Sequence, residues 1–249
     1  MFKSVMIAFF SIFLLSMPIA AEPLEGEYLY KVTTMRIERG KLKEFLAWYS
    51  ELNATSVFED AGTPRPMLMR HSQGDQWDLL KIEPMGSWTA YHARSRVKRR
   101  GKAAEKHADL INSGKAMIAF SEDVFAYGPS LEVIQKAYEE NAFYHIEMFE
   151  AAPGKAGALF EQRRMENAYL AATGQTENMI FRRAAGSDVD VFTIGFHESL
   201  QTFSTPSGAS KEEAEAAAVA AGFKNRADIS FLLRSLISGH HDTLAVKVE

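Results

Sequence analysis

The chain carries the same pattern twice. GEYLYKVTTMRIERGKLKEFLAWYSELN, beginning at Gly26, and NAFYHIEMFEAAPGKAGALFEQRRMENAYL, beginning at Asn141, each run as an alternating, strand-like segment to a Gly-Lys pair and then into an amphipathic helical repeat. Gly40 and Gly154 stand 114 positions apart, and the same spacing pairs Tyr30 with Tyr144, Phe45 with Leu159 and Asn53 with Asn167. Farther along, PMLMRHSQGDQWDLLKIEP matches NMIFRRAAGSDVDVFTIGF, with Arg70 on Arg182 and Asp78 on Asp190, 112 positions apart. A slip of two residues in one helix-to-strand loop is small, so the chain is a duplication. Whatever one half folds into, the other must also be able to adopt.

Each half reads in the same order. The first gives a strand over Tyr28 to Ile37, a helix over Lys41 to Asp60, strands over Met67 to His71 and Trp77 to Glu83, a helical region from Ser87 to Ala119 and a last strand over Asp123 to Tyr127. Leu42, Phe45, Leu46, Tyr49 and Leu52 recur at helical spacing and lay one apolar stripe against a sheet. The second half repeats this with strands at Phe143 to Phe149, Met179 to Arg183, Val189 to Phe196 and Thr243 to Val248, and a helix from Lys155. Ser210 and Glu213 form a capping box that opens an Ala-rich helix, and a further helix is expected over Arg226 to Ile237. Pro129 to Glu140 reads as a short helical linker.

Strand-helix-strand-strand-helix-strand is the ferredoxin-like order. In that order and its duplication the chain resembles the dimeric α/β-barrel superfamily, which includes antibiotic-biosynthesis monooxygenases, EthD-like and NIPSNAP-like proteins and the chlorite-dismutase-like haem proteins. The resemblance implies an α+β fold in which two βαββαβ repeats, residues 26–128 and 141–249 with a linker at 129–140, pack sheet to sheet as a single-chain barrel with the helices outside. Helices then cover one face of each sheet and the sister sheet covers the other.

Alternation along the strands selects the candidate site residues, because successive side chains point to opposite faces. Tyr144, Ile146 and Met148 form a wholly apolar set that is expected to meet the helices, which sends His145 and Glu147 into the barrel with their counterparts Lys31 and Thr33. On the third strands Leu80, Ile82, Phe192 and Ile194 are expected on the helix side, and Trp77, Leu79, Lys81 and Glu83 inside. On the last strands Val124, Ala126, Thr243, Ala245 and His241 are expected inside, with His240 and Asp242 as turn residues. His241 would then approach His145 and Glu147, a set able to ligate zinc, iron or copper or to serve as an acid-base group. Arg163 and Glu166 interrupt the helical stripe where the first half has Tyr49 and Leu52, which fits an internal ion pair or a divergent helix. The basic run from Arg94 to Lys102 reads as a solvated helix end.

Composition narrows the chemistry. The chain has 249 residues, no cysteine and a formal charge of −4, which excludes disulfides, thiolate metal sites and a cysteine nucleophile and offers nucleic acid no overall attraction. No serine sits in a Gly-x-Ser-x-Gly elbow, and there is no Gly-rich phosphate loop. The start, MFKSVMIAFFSIFLLSMPIAA, has a lysine, a short apolar run and small residues before Glu22, and reads as a signal peptide over residues 1–21. The mature protein is therefore expected in the periplasm or secreted, with no stable membrane insertion after cleavage.

These readings, joined to the resemblance, imply an exported protein that holds a small apolar or aromatic molecule in a barrel cavity, either as a ligand-binding protein or as a cofactor-independent, oxygenase-like enzyme. His145 would accept a proton, Glu147 would orient it, and Lys31 or Lys81 would stabilise the developing negative charge, with Trp77 and His241 also on the cavity wall. The alternatives are a haem or metal protein, with His145, His241, His197 and His107 as nitrogen donors, and a non-catalytic structural or interaction protein with no open pocket. The residues name no cofactor. A small molecule is the expected partner, with a homodimer as a further option.

Overall fold

The structure, a computed structural model, describes residues 27–248, and the signal peptide expected at residues 1–21 lies outside the described residues. The first half comprises β1 (Tyr28–Ile37), α1 (Leu42–Ala54), α2 (Val57–Ala61), β2 (Met67–Gln73), β3 (Leu79–Gly86), α3 (Trp88–Tyr91), α4 (Arg94–Lys106), α5 (Ala108–Lys115) and β4 (Ile118–Gly128). Helix α6 (Leu131–Glu140) leads to β5 (Phe143–Ala151), α7 (Ala156–Ala172), β6 (Met179–Gly186), β7 (Val191–His197), α8 (Leu200–Ser204), α9 (Lys211–Ala220), α10 (Asp228–Leu236) and β8 (Ile237–Lys247). The single helix expected over Lys41 to Asp60 is two, because the Thr55 side chain donates to the Leu52 carbonyl at 2.8 Å and ends α1. The capping box at Ser210 and Glu213 is present and opens α9.

The duplication extends to local detail. Gly40 and Gly154 turn the chain from strand to helix with φ of +80° and +75°, a conformation that a side chain would strain. Asp78 accepts the Ile37 N–H at 2.7 Å and Asp190 accepts the Ala151 N–H at 2.9 Å, so the same carboxylate ties off the first strand of each half.

The eight strands close in the order β1-β3-β2-β8-β5-β7-β6-β4, every pair antiparallel. Each half supplies a four-stranded sheet of the ferredoxin-like order, and the seams are β2 with β8 and β4 with β6. Closure leaves no free strand edge in the barrel.

The barrel is filled. One buried apolar cluster contains Tyr30, Val32, Leu80, Ile82, Val124 and Ala126 from the first half and Tyr144, Ile146, Met148, Phe181, Phe192, Ile194 and Ala245 from the second. The rings of Phe181 and Phe192 stack within it at 4.5 Å. The faces expected on β1, β3, β5 and β7 are therefore reversed: the wholly apolar sets point inward, and Lys31, Lys81, Glu83, His145 and Glu147 point out toward the helices. Leu79 likewise packs outward with Phe45 and Tyr49, whereas Trp77, just before β3, joins the interior. The physical reason is enclosure. Strands surround the interior on every side, so a polar group there has neither water nor a partner, while the helix layer leaves room over the mixed faces.

Candidate active site

The outer face of the second sheet and helix α7 bound a cavity of about 550 Å³, lined by His145, Glu147, Glu166, His197, Phe203 and polar side chains that include Gln175 and Asn178. The site grows from strand register. β5 pairs with β8 so that Glu147 lies opposite Asp242, and with β7 so that Glu147 lies opposite Thr193 and His145 opposite Gly195. His145, Glu147, Thr193 and Asp242 thus project from one face. The first half repeats the register with Thr33 opposite Asp123 and Lys31 opposite Glu83.

His145 Nε2 lies 3.2 Å from Asp242 Oδ1, and His240 Nε2 lies 3.0 Å from Asp242 Oδ2. Asp242 is therefore no turn residue: β8 begins at Ile237, and His240 and Asp242 share the helix-facing side. Around the imidazole stand Glu147 from the same strand, Asp242 from β8, Glu166 from α7 and His197 from β7. Burial works against its protonation. The Asp242 hydrogen bond and the charges of Glu147, Asp242 and Glu166 outweigh burial and raise its pKa above the ordinary 6.5. The bond from His145 lowers the Asp242 pKa. His197, buried and repelled by a protonated His145, moves the other way.

Arg163 locks the floor of the cavity. Its guanidinium is almost wholly buried; Nη1 donates to Glu147 Oε2 at 3.3 Å, Nη2 donates to Glu166 and Nε donates to Gln162 Oε1 at 2.8 Å. Thr193 also donates to Glu147 Oε2, at 3.0 Å. Burial and the charge of Glu147 raise the Glu166 pKa against the pull of Arg163. Of the two explanations for Arg163 and Glu166, the internal ion pair holds.

The expected site residues fall into three places. His145 and Glu147 are together. Lys31 and Lys81 lie on the first sheet, each beside Glu83 at 3.3 and 3.4 Å, in a separate cavity of about 590 Å³. Neither reaches His145, so the expected stabilisation of charge by either lysine does not occur. Trp77 and His241 meet at a barrel mouth, where Asp75 accepts from Trp77 Nε1 at 2.9 Å and lies 3.6 Å from His241 Nδ1. His241 faces away from His145 because its neighbours His240 and Asp242 take the opposite side of β8. Of the other donors weighed, His197 shares the His145 cavity, and His107 lies 2.8 Å from Asp60 in the first half.

One ligand atom from each of His145, Glu147 and Asp242 falls within 4.8 Å of the other two, so among the described residues these three could hold a divalent ion. They are also satisfied by one another and by Arg163, as an acid-base cluster requires. Haem fits less well. A porphyrin needs broad apolar walls, whereas this lining is largely polar, and His145 Nε2 is bound to Asp242 while His197 Nε2 lies over Gly195 beside Asn178, where even a Cβ would approach it to 2.9 Å.

No family model and no curated protein sequence matches the chain. Its fold is similar to that of a solved anthrone oxidase-like protein at 12% identity and a TM-score of 0.52, over 90% of this chain and 92% of that one. Two others are a monooxygenase-like protein from Fusobacterium nucleatum subsp. nucleatum (9% identity, TM-score 0.49, 89% and 92%) and chlorite dismutase from Candidatus Nitrospira defluvii in complex with imidazole (11%, 0.49, 90% and 92%). The first likeness is one of fold and agrees with two ferredoxin-like repeats closed into one barrel.

Proposed function

We propose that the second-half cavity binds a small organic molecule with an acidic C–H or O–H and that His145 removes that proton. The carrying observation is His145 on the cavity wall, hydrogen-bonded to Asp242. With Nε2–H donated to Asp242, the lone pair lies on Nδ1, which makes no hydrogen bond among the described residues and is left for the ligand. Glu147 is held by Arg163 and Thr193 and acts through its charge, not as the proton acceptor.

Charge limits the ligand. Glu147, Glu166 and Asp242 stand against the single fixed cation Arg163, so the cavity disfavours anions and suits a neutral molecule with hydrogen-bonding groups. Once the proton is on His145, the electron pair remains on the ligand as an enolate or phenolate, and dioxygen is the oxidant that such an anion can reduce. This is the oxygenase-like reading, and the anthrone oxidase-like neighbour makes anthrone the natural first probe.

The test is oxygen uptake by the purified protein with anthrone and with 2-naphthol, beside His145→Ala. Loss of about a hundredfold or more in rate with probe affinity intact supports the proposal. Full activity in His145→Ala, or no uptake and no binding with either probe, overturns it. A shifted Soret band on stoichiometric haemin addition, or a stoichiometric metal in the protein as isolated, would replace it with the haem or metal reading.

A further inference from the structure

We propose that the first-half cavity is a second, independent binding site, for an aromatic or long apolar molecule carrying an anionic head that sits on Lys31 and Lys81. This inference does not depend on the acid-base reading, since the two cavities share no residue and lie on opposite sheets.

The cavity occupies the place that duplication assigns to the active site of the other half, but its chemistry has diverged. Its walls include Phe45, Trp48, Tyr49, Leu52 and Phe58, and its floor is Lys31, Lys81 and Glu83. Where the second half has Arg163 and Glu166, the first has Tyr49 and Leu52, so a charged wall is replaced by an apolar one. A volume of about 590 Å³ falls within the range of small-molecule sites.

The floor is short of negative charge. Both ammonium groups share one oxygen, Glu83 Oε2, and Tyr91 donates to the other oxygen at 3.2 Å. The second acid, Asp123, takes the Thr33 hydroxyl at 2.6 Å and makes no ion pair with either lysine. Lys115 adds a third cation to the lining, so three cations face two carboxylates, opposite in sign to the second cavity. Lys31 and Lys81 keep about a quarter of their side chains exposed, and an ammonium so covered, with donors unspent, is best satisfied by an anion. The apolar walls select what that anion is attached to. Sheet and helix would clasp a flat or extended body, with the carboxylate or phenolate at the bottom.

Calorimetric titration of the full chain with 2-naphthoate, and with 2-naphthylmethylammonium as its charge-reversed partner, tests the proposal. The naphthoate is expected to bind one to one and at least about tenfold more tightly than the ammonium compound, a preference lost in Lys31→Met/Lys81→Met. Leu52→Trp, which keeps both lysines and fills the space above them, should abolish binding, and it serves alone if the double variant does not fold. His145→Ala should leave the naphthoate affinity unchanged. Equal binding of both compounds, no binding of the naphthoate, unaltered affinity in Leu52→Trp or loss of binding in His145→Ala would each overturn the assignment, the last by placing the ligand in the other cavity.

Discussion

Asp242 lies between two imidazoles, and that position sets the titration of the site. Removing its charge in Asp242→Asn should lower the His145 pKa, so the acid limb of any proton-abstraction rate should move to lower pH. The imidazole resonance followed by NMR against pH measures this directly; a His145 pKa unchanged by the substitution would contradict the dyad. Stability has a definite sign as well. The folded His145 pKa lies above the ordinary 6.5, so its contribution to folding is complete below that value and is lost as pH rises through the raised pKa. At this scale the sequence was half legible. His145, Glu147 and the anomalous Arg163–Glu166 pair stand out in it. Asp242 does not, because a strand that starts six residues before the expected one turns a loop aspartate into a face-sharing partner.

Helix α7 against strands β5 and β7 is where the ionic cost of the site is met. Arg163 is buried with Glu147 and Glu166, and removing one partner of such a cluster leaves uncompensated charge. Arg163→Met should therefore destabilise the chain by about 3–5 kcal/mol in urea unfolding. Replacing all three residues by their first-half counterparts, Glu147→Thr, Arg163→Tyr and Glu166→Leu, should stay within about 1 kcal/mol of the parent, since apolar packing commonly equals or betters a buried ionic cluster. A triple variant as unstable as the single one would show that the cluster also holds α7 in place. The duplication made this exchange readable: the helix was plain from its stripe, and the departure at two stripe positions pointed to the change of chemistry.

The whole molecule folds around an interior to which both halves contribute. Phe192→Ala, in the second half, should cost about 3–5 kcal/mol, and the loss should be reported in full by the tryptophans, all three of which belong to the first half at positions 48, 77 and 88. Two separate transitions, with tryptophan fluorescence unaffected by the substitution, would mean that the halves fold as independent units. Duplication, strand order, the separation of each strand into an apolar and a mixed face, and the membership of each face were set by the amino-acid sequence, because alternation fixes which residues point together. Which face looks inward was decided by the tertiary structure. Periodicity carries no sign: only the closing of two sheets on each other made the shared interior the driest place available, drove the apolar faces into it, and left His145, Glu147, Lys31 and Lys81 under the helices, in two cavities of opposite charge.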